Sequence, residues 1–408
     1  MSSTPFDSTL SLKRDPYRFI SRTCAEVGTD AFGTRFMLEP VLCCSGAEAA
    51  RFFYDRDVFT RERAAPGFLK ATLFGRGGVQ GLDGSAHRHR KSMFLQLVGP
   101  GLTDELTASA TSRIAALRER TGEIVLQDAL EVILTGSVCE WAGVGVCPDD
   151  LPRRAKTLSN LFEHAAPTSI DHLFARVSRI RANRWASEEI EAVRAGRRAP
   201  RSDSALFVIA HWQDPRGNLL PSSVAAVELL NVLRPFVAVS VFLTFTAHAL
   251  CTHPEERRAL DENRDRILPF VQEVRRSYPF FPLVAARARR DAEWRGHFVP
   301  DGRLVVLDIW GTNRDPRAWD NPDEFRPARF DGWDGDPYTL IPQGGGDHAA
   351  GHRCPGEWVT QDLMLAGTQA LLDVVRWEDL PAQNVSLAMG RLPALPRDRM
   401  RIFTNKKA

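Results

Sequence analysis

Residues 341–357 read IPQGGGDHAAGHRCPGE. Three consecutive glycines at positions 344–346, followed by Gly351, predict a loop that carries little side-chain bulk. Because glycine has no Cβ atom, such a loop can pass close to a large flat ligand. A helical pattern follows over residues 358–372. The stretch therefore predicts a loop that approaches a ligand and then leads into a helix.

One cysteine, Cys354, lies in this loop, directly after Arg353 and His352. A cysteine near a helix N-terminus and beside cationic groups is expected to have a lowered pKa and to exist as a thiolate. A thiolate can ligate haem iron. The alternative is a free, inert cysteine under a glycine loop.

A second informative stretch lies upstream, where residues 229–239 read LLNVLRPFVAV. Arg234 keeps its charge at any working pH, and burying it without an anion costs several kcal/mol. The next residue, Pro235, removes a backbone donor and is expected to disturb a helix at that point. The required anion is either an internal Asp or Glu, in a structural salt bridge, or the carboxylate of a substrate held in an apolar pocket.

The order of three motifs distinguishes between these possibilities. Residues 273–276 read EVRR, and residues 314–330 read RDPRAWDNPDEFRPARF, ahead of the cysteine loop. The order Glu-x-x-Arg, then Trp-x-x-Pro-x-x-Phe-x-Pro-x-Arg-Phe, then a glycine-rich Cys-Pro-Gly resembles the cytochrome P-450 superfamily over nearly the whole chain. The resemblance implies one domain over residues 1–408, mainly α with a small β region, folded as a triangular helical prism around haem.

Two departures from the usual sequence of the superfamily narrow the resemblance to one of its families. Ordinary members carry an acidic residue followed by Thr on the central helix, where this chain has Arg234-Pro235. They also carry Phe seven residues before the cysteine, where this chain has Asp347. Both departures resemble the bacterial fatty-acid peroxygenases, whose loop and following helix over one haem face look like VQGLDGSAHRHRK at residues 79–91. Residues 167–176 lack the Gly/Pro- and Trp-containing stretch expected above the pocket, which leaves the substrate's chain length and even its class open.

The resemblance also implies roles for individual residues. Cys354 would be the axial ligand of the iron of haem b, and Glu273 with Arg276 a structural ion pair behind the haem. His87 and Lys91, four apart on one helix face, match positions that contact haem propionates, with surface charges as the alternative. Arg287 is a candidate for a second propionate.

The remaining site candidates concern the substrate and the chemistry. Gln80 matches a polar residue over the haem, where Gln tends to accompany hydroxylation and His decarboxylation. Phe74 and Phe281 resemble pocket walls, with plain core as the alternative. Cleavage of hydrogen peroxide needs a general acid–base. The usual acid–alcohol pair is missing, because Arg234-Pro235 occupies its place. A substrate carboxylate held by Arg234 would supply this function and bring Cα or Cβ to the oxidant.

Composition bounds the class of protein. The chain has 408 residues, 43% hydrophobic and 25% charged, which is typical of a globular protein. The net charge of +2 gives no indication of nucleic-acid binding. Seven cysteines without a CxxC pair fit a reducing cytoplasm, and residues 1–13 lack a signal-peptide pattern. The most apolar stretch, residues 225–250, is interrupted by charge and proline and predicts a buried helix, so no membrane anchor is expected.

Helical patterns dominate after a first part with short strand-like runs. Strands are predicted at 34–38, 40–44 and 302–310, and helices at 105–121, 126–144, 151–164, 179–195, 204–211, 222–252, 255–263 and 265–278. The leading hypothesis is a peroxide-dependent fatty-acid α/β-hydroxylase that needs no redox partner. Three alternatives stay open: an alkene-forming decarboxylase, a reductase-dependent monooxygenase, and a non-catalytic haem sensor.

Overall fold

The computed structural model of the protein describes residues 6–166 and 171–404. Residues 167–170, which belong to the unusual stretch above the expected pocket, lie outside the described residues. The fifteen helices described are α1 Thr9–Arg14, α2 Phe19–Val27, α3 Ala47–Phe53, α4 Gly67–Leu69, α5 Gly84–Val98, α6 Asp104–Ala115, α7 Leu126–Trp141, α8 Leu151–Glu163, α9 Asp171–Arg194, α10 Ala205–His211, α11 Ser222–Thr252, α12 Pro254–Glu262, α13 Ile267–Ser277, α14 Ile309–Thr312 and α15 Glu357–Val374.

The strands are few and short, which confirms the mainly α class with a small β region. They are β1 Ala31–Phe36, β2 Glu39–Ser45, β3 Phe59–Thr60, β4 Ile124–Val125, β5 Leu283–Ala288, β6 Ala292–Trp294, β7 His297–Val299, β8 Leu304–Asp308 and β9 Arg401–Ile402. The main sheet has the order β1-β2-β8-β5-β3, in which β2 and β8 are parallel and the other neighbours antiparallel. Two small antiparallel pairs, β4 with β9 and β6 with β7, lie outside the main sheet.

The central helix α11 organises the molecule. It packs against α7, α8, α9 and α15, and its side chains are buried on all sides over most of its length. A helix that is apolar all round belongs inside a large core. By length and composition α11 could also cross a membrane, but 94% of its most apolar window is buried within the protein. The prediction of a buried core helix is therefore confirmed.

Pro235 lies inside α11 without ending it. The disturbance expected at this proline does not end the helix, and α11 continues from Ser222 to Thr252. Proline removes one hydrogen bond, the one to the carbonyl of Asn231 four residues earlier. Packing by the surrounding helices offsets that loss, since most helical stability in proteins comes from tertiary contacts.

Helix α9 differs most from the prediction. The sequence predicts its start at position 179, whereas the helix already includes Asp171, the first described residue after position 166. The first turns carry large apolar residues on the solvent side, including Leu173 and Phe174. These residues obscure the one-sided apolar pattern by which a surface helix is recognised.

Candidate active site

The cysteine loop is shaped by its own backbone and by the side chain of Asp347. The backbone N–H of Cys354 donates to the carbonyl oxygen of Gln343 at 3.0 Å, just before α15 begins. Asp347, at the position where phenylalanine was expected, accepts from the backbone N–H groups of Ala349 at 2.8 Å and Ala350 at 2.7 Å. This aspartate turn shapes the segment between the glycines and the cysteine.

The glycines of the loop allow backbone conformations and close contacts within the loop region that larger residues would prevent. Gly344 and Gly346 have φ angles of +95° and +76°, in the left-handed region that favours glycine. A Cβ atom on Gly345 would lie 2.6 Å from the carbonyl oxygen of Pro337, and one on Gly351 would lie 2.5 Å from that of Asp347. The small size of these two residues is therefore explained by close approach to protein backbone, which was not the reason predicted from the sequence.

Three cationic side chains hold the loop in place. The Nζ atom of Lys91 donates to the carbonyl oxygens of Gly351 at 2.6 Å and Arg353 at 2.8 Å. Glu357, buried at the start of α15, pairs with Arg275 and with Arg353. Sequence reasoning missed Arg275, although it adjoins the recognised Glu-x-x-Arg pair. Lys91 thus lies beside the predicted iron ligand, and its contact with a haem propionate stays a prediction.

Cys354 has no disulfide partner, and its thiol does not have the lowered pKa that the sequence suggested. Burial raises the pKa of Cys354, as does the charge of Glu357, while the N–H of Gly356 and the charges of Lys91 and Arg234 act in the opposite direction. The expectation from the flanking cations was wrong, because desolvation outweighs them. Coordination to a metal ion deprotonates a thiol outright, so a ligand role does not require a lowered pKa.

Arg234 has no carboxylate partner among residues 6–166 and 171–404. Its side chain is buried, its Nε atom makes no hydrogen bond, and its Nη2 atom reaches only the amide oxygen of Asn231 at 3.4 Å. Burial lowers the pKa of Arg234 to about 9, assisted by the charge of Arg179 and opposed by that of Cys354. The guanidinium is still protonated at neutral pH. The structural salt bridge considered as the alternative is not formed within the described chain.

A chain of polar side chains runs from Arg234 towards the surface. The amide nitrogen of Asn231 donates to Glu228 at 2.9 Å and to the side-chain oxygen of Gln80 at 3.2 Å. Glu228 is fully buried and accepts from Arg90 at 2.6 Å. Since a carboxylate only accepts hydrogen bonds, Glu228 fixes the orientation of the Asn231 amide, and the amide oxygen is left to face Arg234. Gln80 therefore lies one side chain away from Arg234, although the two residues are far apart along the chain.

A second buried arginine, Arg179 of α9, was not identified from the sequence. Its Nη1 atom donates to the carbonyl oxygens of Thr72 and Leu73, both at 3.3 Å, while its Nε and Nη2 atoms have no partner in the described chain. Burial lowers the pKa of Arg179 to about 10. Arg179 braces the short helical segment before Phe74 and adds positive charge near Arg234. Only the tertiary structure reveals it, because its position in α9 carries no motif.

His87 lies in a second cluster beside the cysteine loop. Its buried ring is 4.0 Å from the ring of His352, and His352 contacts Asp83 at 3.1 Å between Nε2 and Oδ1. Burial lowers the pKa of His87 to about 3, and the neighbouring His352 and Lys91 add to that effect. His87 and Lys91 thus both lie close to the cysteine loop, as their spacing on one helix face suggested.

Arg287 does not join this cluster. Its guanidinium pairs with Glu39 at 2.6 Å and donates to the carbonyl oxygens of Arg63 and Gly302, each at 3.0 Å. These partners occupy its Nε and Nη1 donors on the outer sheet. The proposed contact with a second propionate is therefore not supported by its position.

The two predicted pocket walls lie at the edge of the main core. Phe74 ends the helical segment that Arg179 braces, and Phe281 stacks edge-on to Phe280 with ring centroids 4.4 Å apart. Both are half-buried and pack against the cluster that surrounds α11. This partial exposure is compatible with a pocket wall, and their contact with substrate stays a prediction.

Two kinds of comparison, with a family model and with solved structures, show what the chain is similar to. The family model "Cytochrome P450" matches residues 244–395. Cytochrome P450SP alpha (CYP152B1), solved in complex with (R)-ibuprophen, is 47% identical, with a TM-score of 0.94 over 98% of this chain and 99% of that one. Cytochrome P450EX alpha (CYP152N1), solved with myristic acid, is 38% identical, with a TM-score of 0.94 over 99% of this chain and 98% of that one.

Similarity to curated sequences is more limited in extent. Cytochrome P450 3A1 of Rattus norvegicus is 30% identical over 170 residues, which are 36% of this chain and 33% of that protein. The chain thus spans about a third of the length of the curated relatives it matches. The likeness over nearly the full length comes from the solved CYP152 structures.

Proposed function

The chain belongs to the cytochrome P450 superfamily and, within it, to the CYP152 family, and we propose that it is a fatty-acid peroxygenase. It uses hydrogen peroxide to hydroxylate a fatty acid at the α or β carbon. The observation that carries this proposal is Arg234, a buried guanidinium whose Nε atom has no hydrogen-bond partner in the described chain. The two CYP152 relatives contain carboxylic acids, myristic acid and (R)-ibuprophen, which are the anions that such a guanidinium binds.

The family implies a haem b held by a cysteine thiolate, and the residues present fit it. Cys354 is a free thiol outside any disulfide, in a loop fixed by Lys91, Arg275 and Glu357. The charges of Lys91 and Arg234 favour the anionic form of its sulfur. When bound, the haem iron supplies the activation of peroxide that inserts oxygen into a C–H bond. Cys354 would hold the iron through its thiolate.

Arg234 performs two tasks in this reaction. It binds the substrate carboxylate through charged hydrogen bonds in an interior of low dielectric, where such bonds are stronger than in water. It also holds the carboxylate where one oxygen can accept a proton from peroxide and return it to the oxygen that leaves as water. The net reaction converts R–H and H₂O₂ into R–OH and H₂O. The chain's own residues thus need no acid–alcohol pair.

The same anchor determines which carbon reacts. A carboxylate fixed near the reacting centre leaves only Cα and Cβ within reach. The remaining alkyl chain extends into apolar surroundings that include Phe74 and Phe281, and each buried methylene contributes about 0.8 kcal/mol. Gln80, joined to Asn231 at 3.2 Å, lies in the same polar chain as Arg234 and orients groups beside the carboxylate.

Hydroxylation is preferred over two enzymatic alternatives. The sequence has Gln80, not histidine, at the position associated with decarboxylation in the resembling family. Arg234-Pro235 occupies the place of the acid–alcohol pair on which a reductase-dependent monooxygenase relies. We therefore propose that no redox partner is required. The seven cysteines, all free of disulfides, support location in a reducing cytoplasm.

The test compares Arg234→Met with wild type and with Arg258→Met, a control at an exposed arginine that makes no ion pair among the described residues. Loss of a charged hydrogen bond of roughly 1.5–3 kcal/mol should weaken fatty-acid binding by at least about tenfold. Turnover with peroxide alone should fall further, because the acid–base is lost too. Hexanoate, added as a decoy acid, should allow wild type and the control to oxidise styrene, and Arg234→Met should fail to do so.

Product analysis separates the outcomes. A hydroxy acid with the carbon count of the substrate supports the proposal. A terminal alkene one carbon shorter, as the main product, would establish the decarboxylase instead. Turnover only with an electron-transfer partner and NAD(P)H, or normal fatty-acid binding in Arg234→Met, would overturn the proposed mechanism.

A further inference from the structure

Helix α9 has a second apolar face, which points into solvent. Leu173, Phe174, Val177 and Ile180 are 56%, 60%, 45% and 66% exposed. Positions 173, 177 and 180 have the spacing i, i+4, i+7 and therefore form one ridge along the helix. We call Leu173, Phe174, Val177 and Ile180 the outer ridge.

The outer ridge is separate from the face by which α9 joins the core. Ala175, Arg179, Ala182 and Ala186 are buried against the rest of the protein. At about 100° per residue, their mean direction is opposite to that of the outer ridge. The ridge is therefore not needed to attach α9, and its exposure is a property of the folded surface.

Arginines border the outer ridge on the same helix. Arg176, Arg181 and Arg184 are exposed, and none forms an ion pair or hydrogen bond with any residue in the described part of the chain. Arg76, next to Gly75, is also exposed, and Gly75 lies against the guanidinium of Arg179. An apolar stripe flanked by basic side chains is the pattern of a helix that lies on a membrane surface.

We propose that the outer ridge of α9 docks on an anionic lipid surface. The four apolar side chains enter the boundary between headgroups and acyl chains, and the arginine side chains extend to lipid phosphates. A second copy of this chain fits the face less well, because a two-fold contact would bring arginines of like charge together. The absence of ion pairs on Arg176, Arg181 and Arg184 in the described chain leaves their charge available to an anionic surface.

The docked orientation has a consequence for substrate entry, which rests on the proposed function. The inner side of α9 contacts the segment that leads to Phe74: the ring of His172 lies 6.3 Å from that of Phe68, and Arg179 donates to the carbonyls of Thr72 and Leu73. Docking by the outer side therefore sets this segment directly behind α9, about one helix diameter from a lipid layer. Fatty acids dissolve in such a layer, so the enzyme collects its substrate there.

The experiment measures co-sedimentation with vesicles of phosphatidylcholine and of phosphatidylcholine with phosphatidylglycerol, at low and at physiological salt. The first variant is Leu173→Ser/Phe174→Ser/Ile180→Ser, and the second is Arg176→Gln/Arg181→Gln/Arg184→Gln. The control is Leu268→Ser/Phe298→Ser/Arg258→Gln, which changes exposed residues of both types outside α9.

Wild type and the control should bind the anionic vesicles, more weakly at higher salt. Each arginine removed should lower the partition by about fivefold. The serine variant should also lose most of its binding. All variants should keep the styrene oxidation that hexanoate supports without vesicles. That assay tests the proposed function separately, because it contains no lipid.

Four results would overturn the proposal. The first three are no binding of wild type to anionic vesicles, equal binding to neutral and anionic vesicles, and binding that neither α9 variant reduces relative to the control. A fourth is a wild-type dimer that the serine variant converts to a monomer in light scattering, which would make the ridge an interface between two copies.

Discussion

At the scale of single residues, the site depends on the orientation of one amide. Asn231 offers its nitrogen to Glu228 and Gln80 and its oxygen to Arg234. The reverse orientation would set an N–H donor against a guanidinium, which has only donors. Glu228, which can only accept while it is ionised, excludes that reverse orientation. The buried carboxylate thus positions Arg234 without touching it.

Replacing Glu228 by glutamine should invert this amide. Arg90 requires an oxygen as its acceptor, so the new NH₂ group would take the place of the oxygen that faces Asn231. Two amide nitrogens would then face each other, and the Asn231 amide would have to rotate. The Asn231 nitrogen would then repel Arg234, and fatty-acid affinity should fall by about tenfold, the value of a charged hydrogen bond. Titration of the haem absorbance with a saturated acid measures this affinity.

A second substitution provides the control. In Glu228→Gln/Arg90→Met the glutamine can rotate its oxygen towards Asn231, so fatty-acid affinity should recover most of the loss. If the double variant binds as weakly as the single one, Glu228 supports the fold and does not orient the amide.

At the scale of elements, the junction of β8 and α14 shows how a buried charge is tolerated. Asp308 ends β8 and caps α14 by accepting from the backbone N–H of Gly311 at 2.7 Å. Burial raises the pKa of Asp308 to about 7, against the lowering effect of hydrogen bonds from Gly311, Ser21 and Ser45. At a pH between the unfolded and the folded pKa values, the folded protein therefore retains a proton on Asp308 that the unfolded chain has lost.

This shift predicts a pH dependence of stability. Between the unfolded value of about 3.9 and the folded value of about 7, the folded state binds more protons than the unfolded state. The free energy of unfolding should therefore decrease as pH rises through this window and level off above it. The full shift corresponds to on the order of 4 kcal/mol.

Asp308→Asn cannot ionise, so its stability relative to wild type should increase from pH 5 to pH 8. Urea unfolding at both pH values gives the comparison, and parallel profiles would refute the assignment.

At the scale of the whole molecule, one buried carboxylate joins distant parts of the chain. Glu273 of α13 accepts two hydrogen bonds from Arg276, at 2.7 and 2.8 Å, one from Arg329 at 3.2 Å, and one from the backbone N–H of Arg326 at 2.8 Å. Arg276 in turn donates to the carbonyl of Asn313 at 3.0 Å. The recognised Glu-x-x-Arg pair thus attaches the segment around residues 313–329 to the helix that supports the cysteine loop.

Neutralising this carboxylate should destabilise the fold. Glu273→Gln would leave the buried Arg276 and Arg329 without their anion, and breaking a buried pair in this way costs about 3–5 kcal/mol. Glu378→Gln removes the 86% exposed partner of Arg257 and should cost less than about 1 kcal/mol. Equal denaturant midpoints for the two variants would contradict the role given to Glu273.

Much of the fold and part of the site follow from local pattern in the sequence. The 31 residues of α11 coincide with the predicted range 222–252, because a stretch of that length that is apolar apart from a few residues has few alternatives to a core helix. The order of the Glu-x-x-Arg, Trp-to-Phe and Cys-Pro-Gly motifs pointed to the family. Arg234 and Cys354 were identified because a charge in an apolar run and a cysteine after a glycine loop are unusual by themselves.

The tertiary structure alone decided how these residues are partnered. The sequence left open whether Arg234 pairs with an internal carboxylate, and no described carboxylate lies beside it. The pKa of Cys354 depends on burial that the flanking residues do not reveal. Motif positions predicted that Arg287 and Lys91 contact haem propionates. In the structure Arg287 pairs with Glu39, and Lys91 donates to carbonyl oxygens of the cysteine loop. Periodicity and spacing act over a few residues, whereas these partners are distant in the sequence and meet only when the chain has packed.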